Sequence, residues 1–187
     1  MDNKTAFLAG SILDTQTTIR AIDVKIGALL VGLLAPFAAF GRVWGHFMHV
    51  CQVEPISLGI GLSVTFFLTW ICSVVALVRA LSAIDNPARH IVNSGKYKGS
   101  FYGGGLYVFG FLDAFLNRPM IKASTDIPTM VANAPDTKDQ IIEELAFEQL
   151  KLIYIRDMKL FRLQTGINFA TIWLGIGIAS FLYSKLG

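Results

Sequence analysis

Charge is missing from long parts of this sequence, and that absence decides its class. Residues 26–41 and 166–183 carry none apart from the phenol of Tyr183, and residues 58–81 carry only Arg79. With 53% hydrophobic residues among 187 and a positive mean hydropathy, the chain is too apolar for an ordinary soluble domain, and the apolar residues come in blocks. It is therefore read as an integral membrane protein. Cysteine is nearly absent: Cys51 falls in a predicted loop and Cys72 in the middle of a predicted span, a separation that excludes a disulfide, so both are expected free. The N-terminus, Met1-Asp2-Asn3-Lys4, lacks the basic-then-apolar pattern and cleavage site of a secretory signal, so the first apolar block is expected to stay. No arrangement of serine, cysteine and carboxylates suggests catalysis; neither an enzyme nor a cofactor is expected. The net charge of +3 is too small to imply nucleic acid by itself.

Proline is also absent after Pro135, which leaves residues 137–183 free to form one long helix. Thr137 with Gln140 is a capping box that starts it. At ~1.5 Å per residue it reaches roughly 70 Å, more than twice the ~30 Å of a hydrocarbon core, so about half must stand outside. The charges, Glu143 to Arg162, all precede Gln164 and mark that half. At about 100° per residue, Glu144, Glu148, Lys151, Lys159 and Arg162 fall on one side, and Leu150, Asp157, Phe161, Gln164, Asn168, Thr171 and Gly175 on the other. Leu150, Asp157, Gln164 and Thr171 repeat as a heptad, the spacing with which helices pair around an axis. Polar side chains are costly against lipid, so this row is expected to face protein or water. Two readings follow: interhelical glue inside one subunit, or a pore lining of Asp157, Gln164, Asn168 and Thr171 in a homo-oligomer.

Upstream, Asn3 or Thr5 can cap a first helix that is amphipathic to about Lys25 and then enters the membrane, with Pro36 as a kink. Ala28, Gly32, Pro36 and Ala39 or Phe40 give it a small-residue side that another helix can approach. Arg42, Trp44, His46 and His49 mark the far interface. Residues 51–57 form the turn around Glu54-Pro55, and residues 58–81 are the clearest span. In that span Ser57, Gly61, Thr65, Thr69, Ser73 and Ala76, spaced near four, read as a packing face, and Arg79 at its exit can snorkel to the head groups. The first inter-span loop holds Arg42 alone, whereas residues 82–165 hold ten lysines and arginines. The middle is therefore expected in the cytoplasm, with the N-terminus inside and the short tail outside.

Residues 83–136 form the expected cytosolic insert. Arg89, His90, Lys96, Tyr97 and Lys98 make a basic-aromatic patch, followed by Tyr102 and Tyr107 around Gly103-Gly104-Gly105, which suggests short strands or close backbone approach. Cations neutralise phosphates and rings stack on bases, so Arg89, His90, Lys96, Tyr97, Lys98, Tyr102 and Tyr107 are candidate ligand-binding residues. A basic patch against a membrane surface predicts the same charges. Neither a Walker pattern nor a dinucleotide fingerprint is present. Pro119, Pro128 and Pro135 space out a loop-like return. His46, His49, Cys51 and Glu54 have some metal-ligand character but complete no metal signature, and interfacial anchoring is the better account.

Two stretches carry a family resemblance: Ile22-Asp23-Val24-Lys25-Ile26-Gly27 at the mouth of the first span, and Glu144 through Gln149, Tyr154 and Arg156 to Lys159 running into the last. With the second span and cytosolic insert between them, they resemble the small transmembrane effectors of bacterial anti-phage nucleotide signalling, such as Pycsar and its CBASS-like and Hailong-like relatives. The resemblance covers both ends well and the insert poorly. It implies an oligomer, taken here as a tetramer, in the bacterial inner membrane. A cyclic nucleotide or short oligonucleotide, made by a partner cyclase or nucleotidyltransferase, would control it, and its action would arrest growth or disrupt the membrane. The expected architecture is mainly α and membrane-embedded: three transmembrane helices with long cytoplasmic helical extensions and a small α+β cytosolic insert. Residues 1–82 hold the amphipathic helix and first two spans, 83–136 the insert, and 137–187 the stalk helix and third span. The expected function is a ligand-gated channel or pore-forming effector; the alternative is a non-conducting membrane scaffold or transporter accessory subunit.

Overall fold

The computed structural model describes residues 3–82, 86–96 and 123–186, and these are mainly helical, with no strand among them. Helix α1 covers Asn3–Leu34, α2 Phe40–Val50, α3 Ile56–Leu81, α4 Ile127–Ala132 and α5 Lys138–Leu186. Three stretches, Asn3–Val50, Ile56–Leu81 and Lys138–Lys185, are long and apolar enough to cross a membrane, which fits a membrane location. Position 3 is already helical, so a cap for α1 would lie outside the described residues and Thr5 stands inside the helix. The glycine triplet and the expected short strands also fall outside them. What is described of the insert is helical: 3-10 turns at Pro87–His90 and Ser94–Lys96, and α4. The return segment is accordingly not all loop, because the Asp126 carboxylate accepts from Thr129 N at 3.0 Å and Pro128 sits in the first turn of α4, where its missing N–H costs nothing. Those bonds from Thr129 also hold the Asp126 carboxyl below its usual range.

The chain packs as two units, Met1–Gln16 with Asn86–Tyr154, and Thr17–Asp85 with Ile155–Gly187. The second holds three helical passes. Pro36 breaks the first into a 3-10 segment, Ala35–Ala39, before α2 resumes. Pro36 brings no N–H to the carbonyls one turn back, and the Leu33 carbonyl accepts from Trp70 Nε1 of α3 at 3.0 Å, while Phe37 stacks on that indole at 4.0 Å. An apolar surrounding offers no replacement donor, so the bond from Trp70 satisfies a carbonyl at the break. On α3 the buried row is Gly59, Ser63, Phe66, Thr69, Ser73, Leu77 and Ala80. The expected small-residue face is thus right at Thr69 and Ser73 and wrong at Ser57, Gly61 and Thr65, which are exposed. The reason is arithmetic: a strict spacing of four drifts about 40° per step on a helix of 3.6 residues per turn, so the row leaves the packing face within three steps.

Ser73 Oγ donates to the Gly166 carbonyl of α5 at 2.8 Å, an approach that a side chain on Gly166 would obstruct, since its Cβ would fall 2.7 Å from Leu77. A core of Ile22, Ile26, Leu33, Phe47, Phe66, Leu77, Leu163 and Trp173 fills the space between the passes. At one end Arg162 Nη1 donates to the Arg79 carbonyl at 2.6 Å; at the other the Tyr183 hydroxyl sits 3.1 and 2.9 Å from the carbonyls of Val53 and Pro55 and donates to them. Helix α3 therefore runs antiparallel to the other two passes. Both thiols are free, with Cys51 Sγ 3.3 Å from Ser63 Oγ. By contrast the small side of the first pass is open: Ala28, Gly32 and Ala39 are exposed, and among the described residues nothing lies within 4 Å of the Cβ that Gly32 would carry.

The turn between α2 and α3 gives a direct check on this packing. A Cβ on Gly59 would lie 2.2 Å from the Val50 carbonyl oxygen, whereas one on Gly61 meets nothing within 4 Å. Gly59→Ala is expected to destabilise by about 1–3 kcal/mol through backbone overlap, and Gly61→Ala to be neutral or slightly stabilising, as measured by thermal unfolding in detergent.

Candidate functional site

Helix α5 carries most of the polar chemistry, and its two sides are used oppositely. The capping box forms as expected, with Thr137 N donating to Gln140 Oε1 at 3.2 Å and Gln140 N to Thr137 Oγ1 at 3.3 Å. The charged side turns inward. Glu144, Glu148 and Lys159 are buried, Glu148 to 1% exposure, and Glu148 pairs with Lys151, whose ammonium also lies 4.7 Å from the Phe147 ring centre. Burying such groups is tolerable only with partners; Lys151 on the same helix serves Glu148, and helix α1 contributes further polar contacts to this side. In the first unit, Gln149 Nε2 donates to Ser11 Oγ at 2.9 Å and Thr15 Oγ1 at 3.1 Å. In the second, Lys159 Nζ donates to Asp23 Oδ1 at 2.5 Å.

The opposite row turns outward. Leu150 is 50% and Phe161 69% exposed, and Asp157, Gln164, Asn168, Thr171 and Gly175 are exposed with them. This overturns the reading of the row as glue inside one subunit: the inward position is already taken by Leu163, Gly166, Trp173 and Ser180. The physical cause is that Asp23 and Ser73 pair with groups on that other side, which fixes the rotation of α5 about its axis. Along the row Gln164 Nε2 donates to Asn168 Oδ1 at 3.0 Å, and Thr171 Oγ1 donates back to the Ile167 carbonyl at 2.9 Å. Two primary amides have four N–H donors and two carbonyl acceptors. That one bond uses a single donor and a single acceptor, and the rest take no partner among the described residues. Asp157 is paired with Arg156, its Oδ1 accepting from Nε and Nη2 at 2.9 Å, on the surface.

Of the seven candidate ligand residues, Arg89 and His90 lie exposed in the 3-10 turn that Asn86 caps through its side chain. The backbone of Lys96 closes the second 3-10 turn, after Asn93 at φ 61°, a left-handed position asparagine tolerates. Tyr97, Lys98, Tyr102 and Tyr107 lie outside the described residues. His90 is stacked on Tyr154 of α5, ring centres 4.3 Å apart and planes within 12°. Tyr154 enters the sequence analysis only within the stretch that carries the resemblance, and its contact with a distant histidine leaves no local signal. His46 Nε2 sits 3.4 Å from Ser180 Oγ and Cys51 faces Ser63, so the histidine and cysteine groups diverge, and no cluster able to hold a metal ion exists among the described residues. No family model, curated protein or solved structure matches the chain.

The Asp23 to Lys159 pair is the interaction sequence analysis missed, although charged complements on α1 and α5 were its visible signal. The Lys159 side chain is 9% exposed and that of Asp23 37%. Asp23→Asn is expected to destabilise by about 2–3 kcal/mol, because it strands a buried ammonium. The double change Asp23→Asn with Lys159→Met should recover most of that loss in detergent melts; a double mutant worse than the single would show that the pair itself contributes little.

Proposed function

We propose that this protein is a homo-oligomeric membrane channel whose pore is lined by the outward row of α5, and that a phosphate-bearing nucleotide acting on its cytosolic insert controls it. The observation that carries the reading is the exposure of Gln164, Asn168 and Thr171 at the head of an uncharged span, with most groups of the two amides lacking a partner among the described residues. Leaving an amide in an apolar medium without a hydrogen bond costs roughly 2–7 kcal/mol. A lipid-facing row would carry that cost at two amides. Copies of the chain arranged about an axis would instead give rings of amide and hydroxyl groups to a shared aqueous lumen, where they replace part of an ion's hydration shell.

Asp157 lies about 10 Å below Gln164 at ~1.5 Å per residue, at the mouth of this lumen. Its pairing with Arg156 makes that ring close to neutral, so the reading assigns cation preference only to a state in which Arg156 lets go. The control element is argued from the insert. Arg89 and His90 are exposed there, and the stacking of His90 on Tyr154 ties their turn to the helix bearing the lumen row. A nucleotide competing for either ring would bear on α5 directly. The resemblance of both chain ends to anti-phage effectors supports this class of signal, with growth arrest or membrane disruption as the consequence in a bacterial inner membrane.

Reconstituted in vesicles, the channel reading is tested by Asn168→Leu. Ion flux should fall steeply while the assembled mass is unchanged, because a membrane hydrogen bond lost between helices costs on average only about 0.6 kcal/mol. A protein that is monomeric in detergent, or whose flux is indifferent to Asn168→Leu, would favour a non-conducting scaffold. For the signal, Lys96→Glu with Lys98→Glu should weaken binding of phosphate-rich nucleotides and lower the slope of log affinity against log salt by about 1 per lost contact. An unaltered slope removes the patch.

A further inference from the structure

The outward row does not stay polar. At ~100° per residue, Gly175, Ile178 and Leu182 remain within about 40° of Gln164, so they continue the same strip toward the end of α5. Ile178 is 64% and Leu182 56% exposed, no atom of another element lies within 4 Å of the Cβ that Gly175 would carry, and the strip bears no polar side chain between Thr171 and Lys185. Leu174 and Phe181 are also exposed, but lie some 80–100° away on the flank. The helix thus presents one face that is wettable over its first turns and bare hydrocarbon over its last. The Gly175 position, without a side chain, separates the two.

Resting on the channel reading above, we propose that Ile178 and Leu182 form the gate. In a symmetric assembly each becomes a ring of branched aliphatic side chains, and such a constriction stops ions without occluding the lumen fully, because water leaves a narrow apolar neck and an ion cannot follow without its hydration. Opening then needs only a small rotation or tilt of α5 that carries these side chains off the axis and leaves the polar rings on it. The partner is a second copy of this chain, seated on the strip because the amide groups that share it cannot face lipid. An alternative in which Ile178 and Leu182 simply meet acyl chains would make them equivalent to Leu174.

The test compares Ile178→Ser, Leu182→Ser and the flank control Leu174→Ser in vesicles of phosphatidylethanolamine and phosphatidylglycerol, with potassium efflux read in the absence of any nucleotide. Resting efflux should rise about tenfold for Ile178→Ser or Leu182→Ser, the factor that corresponds to ~1.4 kcal/mol of barrier, and not for Leu174→Ser. Ile178→Thr, nearly isosteric with valine, serves if the serine variant fails to assemble. Adding Asn168→Leu to Ile178→Ser should abolish the leak, since both act on one path. No rise in either variant of a protein that still assembles, or an equal rise in Leu174→Ser, overturns the gate while leaving the channel reading to its own mass and Asn168→Leu measurements. A leak that survives Asn168→Leu overturns both.

Discussion

A bilayer core contains no hydrogen-bond partner, and almost every polar choice in this chain answers to that constraint. Where Pro36 interrupts a helix, Trp70 reaches across to the Leu33 carbonyl. Ser73 finds the carbonyl of Gly166, and Thr65, Thr69 and Thr171 return their hydroxyls to their own helix. At the charged end of α5, Lys159 is drawn inward only because Asp23 is there to meet it. These are local settlements, and each leaves the outward surface apolar, as a lipid-facing surface must be. The amide pair at Gln164 and Asn168 is settled only with itself. Gln149 Oε1 and Trp173 Nε1 on the same helix also lack a hydrogen-bond partner among the described residues, but on its buried side. Gln164 and Asn168 turn their spare amide groups outward, and that is what gives the proposed assembly its physical motive.

The two sides of α5 depend on each other. Because Asp23 and Ser73 hold one side against the rest of the chain, the opposite side has no freedom to turn inward, and the polar row is presented outward as a fixed feature. Burying charge to achieve this is an unusual device, since replacing a buried pair with apolar side chains is often neutral for stability. Specifying the rotation of one helix is a role that an apolar pair would fill poorly: apolar contacts slide, whereas a short ammonium to carboxylate bond has one register. In the proposed channel the same bond would set which residues meet the lumen.

Much of the fold was legible because its signals are local. The Thr137 and Gln140 capping box, the break at Pro36 and the turn ahead of Ile56 each follow from backbone chemistry within one turn of helix. What was not legible involves a second element. The period-four row on α3 drifted off its face because small residues at a fixed spacing say nothing about where the neighbouring helix crosses. The choice between the two sides of α5 depended on Asp23, 136 positions away. Helix α4 was hidden by prolines that were read as loop markers, though Pro128 occupies the one helical turn that accepts proline. The stacking of His90 on Tyr154 belongs to the same class of long-range fact.

Solvent reactivity along α5 tests the central claim most directly. In a background with Cys51 and Cys72 replaced by alanine, single cysteines at 164, 168, 171 and 174 would be exposed to a small, charged, membrane-impermeant thiol reagent in vesicles holding the assembled protein. The account predicts modification at 164, 168 and 171, with 174 protected by lipid. Protection at all three row positions together with reaction at 174 would place the water on the other face of the helix and contradict it.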